Sequence, residues 1–89
     1  MKKITNIDVN PPHEIVCTFE DGTIRNADIS ELLKSPVFQP LSNPINLMKA
    51  ENRGYFVEWP DWEADLSADT LWHLGIPVPN ETLEMETAH

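Results

Sequence analysis

The residues best suited to chemistry in this chain are few, and their spacing keeps them apart. Asp61, Glu63 and Asp65 alternate, so on an extended strand three carboxylates would share one face, an oxygen-rich set able to hold a hard cation. The Trp59-Pro60 step just before them predicts a bend instead, which makes the group an exposed acidic turn with Asp65 entering a helix cap. His13 and Cys17 are four apart on what reads as one strand, so they share a face but lie roughly 13 Å apart by strand rise. That is too far for a nucleophile and its base. Cys17 falls in an apolar alternation and reads as an inert core thiol, and His73 is expected on a different element, the last helix. His13, His73 and Cys17 make three candidate ligands, short of the four of a structural zinc site. With glycine only at 22, 54 and 75, no loop can cradle a phosphate. The expectation is a chain with no catalytic, cofactor-binding or metal-binding residues.

The aromatic residues carry more promise. Trp59, Trp62 and Trp72, with Tyr55 and Phe56, fall within residues 55–72. A domain this small rarely hides three tryptophans completely. Trp59 is expected in the core against the last helix, Trp62 on a turn, and Trp72 pointing away from the buried face set by Leu71. An exposed tryptophan rimmed by acids has the composition of a protein-binding hot spot. Trp62, Trp72, Asp61 and Glu63 are therefore the candidate partner-binding residues. The plainer alternative is that Trp62 and Trp72 merely cap the edge of the core.

The elements that must position these residues belong to one domain, since 89 residues provide one core, not two. Apolar residues make up 40% and charged residues 24%, an ordinary globular balance. Residues 2–9 read as a first strand with Ile4, Asn6 and Asp8 on one face and Lys3, Thr5, Ile7 and Val9 on the other, ended by Pro11-Pro12. Ile15, Cys17 and Phe19 share a face of the second strand, Asp21-Gly22 suits a two-residue hairpin turn, and Thr23 to Ile29 returns. A short helix over Leu32 and Leu33 follows, capped by Asp28 with Glu31 or by Ser30, and stopped by Pro36. Residues 35–44, with Pro36, Pro40 and Pro44 around Val37, Phe38 and Leu41, read as an ordered loop pinned by its apolar side chains. A second strand pair is expected over Ile45 to Ala50 and Tyr55 to Trp59, turning at Glu51 to Gly54. The last helix is the clearest element, with Ser67 as its cap, Asp69 in the first turn, and Gly75 then Pro77 at its stop. The fold class is α+β: a small antiparallel or mixed sheet of four to five strands, with two short helices on one face. The domain is expected to span residues 1–79, and residues 80–89 to form a flexible acidic tail.

Charge narrows the partners. Fifteen acidic side chains against six basic ones give a formal −9, a field that repels nucleic acid and anionic membranes and attracts a basic protein. No run approaches the length of a membrane span, and no hydrophobic signal core follows Met1-Lys2-Lys3, so a cytoplasmic location is expected.

The second half of the chain also resembles a known family. Trp59-Pro60, an acidic turn, and then Asp65-Leu66-Ser67-Ala68-Asp69-Thr70-Leu71 resemble the bacterial family known as domain of unknown function 2442. The early hairpin with Phe19, Asp21 and Gly22 fits too, as do Leu32, Leu33, Pro36-Val37-Phe38 and Leu41. Relatives often carry glycine in the turn after Trp-Pro, where this chain has Asp61-Trp62-Glu63-Ala64. The resemblance covers residues 2 to about 75 and implies a small α+β fold. It also implies a setting beside a small companion protein in apparent toxin–antitoxin pairs, with no catalytic residues to carry over.

These readings converge on a non-enzymatic protein-interaction module, the antitoxin-like partner of a small basic protein. The alternative is a small metal-dependent enzyme built on Asp61, Glu63 and Asp65. A third expectation is a homodimer formed through the strand edge at Lys2 to Val9.

Overall fold

The computed structural model describes residues 2–78. Strands β1 (Ile4–Asn10), β2 (Glu14–Phe19) and β3 (Ile24–Asp28) open the chain, followed by two 3-10 turns at Leu32–Lys34 and Gln39–Ser42. Then come helix α1 (Pro44–Leu47), strands β4 (Glu51–Asn52) and β5 (Phe56–Trp59), a 3-10 turn at Pro60–Trp62, strand β6 (Ala64–Ser67), helix α2 (Ala68–Leu74) and strand β7 (Gly75–Pro77). The class is α+β, all pairings being antiparallel, but the strands divide into two sheets, ordered β1-β2-β3-β7 and β4-β5-β6. The single sheet of four to five strands with two helices on one face is therefore corrected to a four-stranded and a three-stranded sheet. The expected tail at 80–89 lies outside the described residues.

The buried layer of the first sheet follows from register. Ile15, Cys17 and Phe19 of β2 are fully buried. Opposite them stand Val9, Ile7 and Ile4. Ile4 differs in parity from Ile7 and Val9, and a register shift between Ile4 and Asn6 brings all three to the core side. The expected grouping of Ile4 with Asn6 and Asp8 fails for that reason. One extra residue in a strand swaps every face beyond it.

The β2–β3 hairpin closes through a three-residue loop, not the expected two-residue turn. Phe19 N–H donates to the Thr23 carbonyl, Gly22 N–H donates back to the Phe19 carbonyl, and Gly22 takes φ +89. The left-handed position falls on glycine, where no Cβ penalty applies.

Two helical expectations also shift. Leu32–Lys34 is a single 3-10 turn without a side-chain cap, because Asp28 Oδ1 instead accepts the Ser30 N–H at 2.9 Å. The expected strand over Ile45 to Ala50 is replaced by α1. Asn43 Oδ1 accepts the Ile45 N–H at 3.0 Å, and Pro44 occupies the first turn, where its missing N–H costs nothing. Sequence reasoning counted Pro44 as loop and missed the cap beside it.

The sheets meet at the start of β1. Ile4 N–H donates to the Gly54 carbonyl at 2.7 Å, and Asn52 Nδ2 donates to the Ile4 carbonyl at 3.0 Å. The core between them is apolar, with Ile29, Leu41, Leu47, Val57, Trp59, Ala68 and Leu71 fully buried. As expected, Ser67 Oγ accepts the Thr70 N–H and caps α2. Gly75 ends that helix in an extended conformation, φ −75. A Cβ there would sit 2.6 Å from the Cβ of Arg25, so glycine lets β7 close against β3.

Candidate functional site

Five polar side chains are spent on local backbone. Asp21, Asp28, Asn43 and Asn52 each accept the N–H two residues on, and Ser67 accepts the one three residues on. These bonds shape turns and caps. They also hold the Asp21 and Asp28 carboxyls below the usual carboxylate range, the Thr23 and Ser30 backbone bonds being the main causes. His13 Nδ1 lies 3.0 Å from Asp28 Oδ1. Cys17 stands on β2, paired with Ile7 and Arg25, and burial pushes its thiol up to about 12. Such a thiol is a poor nucleophile at neutral pH.

Trp72 is clamped in place. Its ring meets Phe19 edge-on at 4.9 Å, with the Arg25 guanidinium 3.9 Å and the Lys2 ammonium 4.6 Å from the ring centre. The same guanidinium donates to the Trp72 and Gly75 carbonyls at 3.1 Å each, closing the end of α2. These contacts give Trp72 a job in holding α2 to the first sheet.

Trp62 sits elsewhere, half-buried against the core at the end of the Pro60–Trp62 turn. The Lys49 ammonium lies 5.7 Å from its ring centre and 3.9 Å from Asp61 Oδ2. A shallow depression of about 460 Å³ is lined here by Lys49, Ala50, Glu51, Pro60 and Asp61. Immediately before it in the chain, Ile45 of α1 and Met48, its C-cap residue, are three apart at helical spacing and are 71% and 56% exposed, while Leu47 is fully buried. Glu63, also exposed, has φ +53, a left-handed conformation that non-glycine residues rarely hold. The acidic trio does not gather. Asp61 faces Lys49, Glu63 turns the chain, and Asp65 stands exposed on β6 opposite Glu58. Among the described residues, no three histidine, cysteine or acidic side chains are placed to hold a metal ion.

Of the four candidate residues, Asp61, Trp62 and Glu63 thus share one turn, and Trp72 packs on Phe19 and its two cations. The sequence reading missed Ile45 and Met48. Their signal was Asn43-Pro44, a cap followed by a first-turn proline, which makes the two apolar residues neighbours on a helix instead of opposites on a strand.

The geometry defines a small two-sheet α+β domain in which Lys49, following the exposed Ile45 and Met48, links that segment to the acidic turn at Asp61. The chain belongs to the family described as protein of unknown function (DUF2442), whose model matches residues 4–77. No curated protein and no solved structure matches it.

Proposed function

We propose that this chain is a non-enzymatic protein-interaction module that docks a small basic protein, in an antitoxin-like role in the bacterial cytoplasm. The docking surface is the α1 face with Ile45 and Met48, continued by Trp62 and the Asp61–Glu63 turn. The observation that carries this reading is the pair of large apolar side chains exposed at Ile45 and Met48, followed in the chain by Lys49, which reaches Asp61. Exposed methionine and isoleucine together with a half-buried tryptophan match the apolar centre of an interface, and the acids match its charged rim. The formal −9 supplies the field that favours a basic partner. Glu63, held in a left-handed turn that glycine would occupy at less cost, supports a role for its side chain there. A lone buried thiol in place of a disulfide suits a reducing compartment.

The test is in-cell photocrosslinking from a benzoyl-phenylalanine placed at Met48, with Ile76 on β7 as the control position. Ile76 is 69% exposed and lies outside the proposed surface. The expected product is one basic protein joined at position 48, absent at 76, and lost when Ile45→Glu is added. Equal crosslinking at both positions, or an acidic adduct, would overturn the reading.

A further inference from the structure

The two edges of the four-stranded sheet are not alike. At β7 the outer edge is closed. Val78 N–H donates to the Ile24 carbonyl, so in this register Ile76 also turns its backbone toward β3, leaving Gly75 and Pro77 to face outward. Pro77 has no N–H, and the Gly75 N–H is already given to the Leu71 and Trp72 carbonyls. That edge offers no free donor to another strand.

The β1 edge is open. Phe19 N–H to Thr23 and Ile29 N–H to His13 show that the odd-numbered residues of β2 bond to β3. Glu14, Val16 and Thr18 therefore bond to their partners Asn10, Asp8 and Asn6. Ile7 and Val9 are left with N–H and carbonyl groups pointing outward, and no backbone bond among the described residues reaches them from that side. The opening begins after Ile4, whose edge is taken by Gly54 and Asn52. The side chains of Ile7 and Val9 are only half-buried, because the apolar layer ends at this strand.

We propose that residues 5–9 of β1 form a self-association edge, pairing antiparallel with the same segment of a second copy about a two-fold axis at Ile7. A second copy fits for three reasons. Two-fold pairing about Ile7 sets its outward N–H and carbonyl against those of the other copy, and Val9 N–H against the Thr5 carbonyl. Ile7 meets Ile7 of the other copy, which extends the apolar layer across the joint. The strand carries a single charge, Asp8, on a strongly acidic molecule. Asp8 also selects the register. Centring on Ile7 places it opposite Asn6 of the other copy, whereas moving the axis one residue, to Asp8, would oppose the two Asp8 carboxylates, a destabilising arrangement. This proposal is independent of the partner-docking surface.

Sedimentation equilibrium of the full chain from about 10 µM to about 1 mM tests it, alone and with two substitutions at the exposed Asn6. Asn6→Lys should lower the dimer dissociation constant about fivefold or more by facing Asp8, and Asn6→Asp should raise it by a similar factor. Raising salt from about 50 to about 500 mM should strengthen the dimer, since like-charged copies are screened from each other. A monomer throughout that range, or variants that fail to shift the dimer in opposite directions, would overturn the proposal.

Discussion

Trp59 Nε1 donates to the Leu47 carbonyl at 2.9 Å, tying the fully buried indole of β5 to the end of the one-turn helix α1. An isolated helix of this length has no stability of its own, so this bond and the burial of Leu47 hold Ile45 and Met48 in their presented geometry. Trp59→Phe keeps an aromatic ring but strands the Leu47 carbonyl in the core. The expected loss is about 1–3 kcal/mol in urea unfolding, with faster amide exchange over 45–50. A variant with wild-type stability would show that the bond does not anchor α1.

Glu63 holds a left-handed conformation whose cost for a side chain with a Cβ is about 1–2 kcal/mol. Glycine removes that cost but loses more freedom on folding, so Glu63→Gly should stabilise by about 0.5–1 kcal/mol, and Glu63→Val should destabilise. Under the docking proposal, the more stable glycine variant binds the basic partner more weakly, because a rim charge is gone. Thermal unfolding and affinity moving in opposite directions is the signature to look for.

Cys17 should resist thiol reagents in the folded chain at pH 8 and react rapidly in denaturant, since burial pushes its thiol up to about 12. The linkage has a definite sign. The unfolded thiol ionises near its ordinary value of 9.0, while the folded one stays protonated to about 12. The unfolded chain therefore binds fewer protons in that interval, so the stability due to Cys17 is complete below pH 9 and declines between 9 and 12. Urea midpoints across that range, compared with Cys17→Ala, would reveal it. A wild type no more alkali-sensitive than the variant would contradict the assignment.

Asp61, Glu63 and Asp65 point to separate surroundings, so titration with calcium, magnesium, manganese or zinc should give no heat beyond dilution. Saturable binding lost in Asp61→Asn would return the metal-dependent reading to contention.

How far the sequence disclosed this arrangement depended on whether the signal was local. Ser67 as the cap of α2, the position of the hairpin bend at Asp21-Gly22, though not its three-residue length, and the alternation of Ile15, Cys17 and Phe19 are settled within a few residues and are legible. The face change in β1 depends on how Ile4 registers with Phe19 across the hairpin, which no window along one strand contains. The division into two sheets rests on Ile4 meeting Gly54, fifty positions away. Trp72 looked free because its cations, Arg25 and Lys2, arrive from the other half of the chain. At α1 the local signal lies in Asn43-Pro44, a cap and first-turn proline that outweigh the strand expected over Ile45 to Ala50.

The docking surface is tested most directly by calorimetry between the purified chain and the purified basic protein captured at position 48. Ile45→Glu and Met48→Glu, both at exposed positions, should leave the melting temperature unchanged and weaken binding at least about tenfold, or about 1.4 kcal/mol. The affinity of the unaltered chain should fall as salt rises. An unchanged dissociation constant in both folded variants would contradict the account.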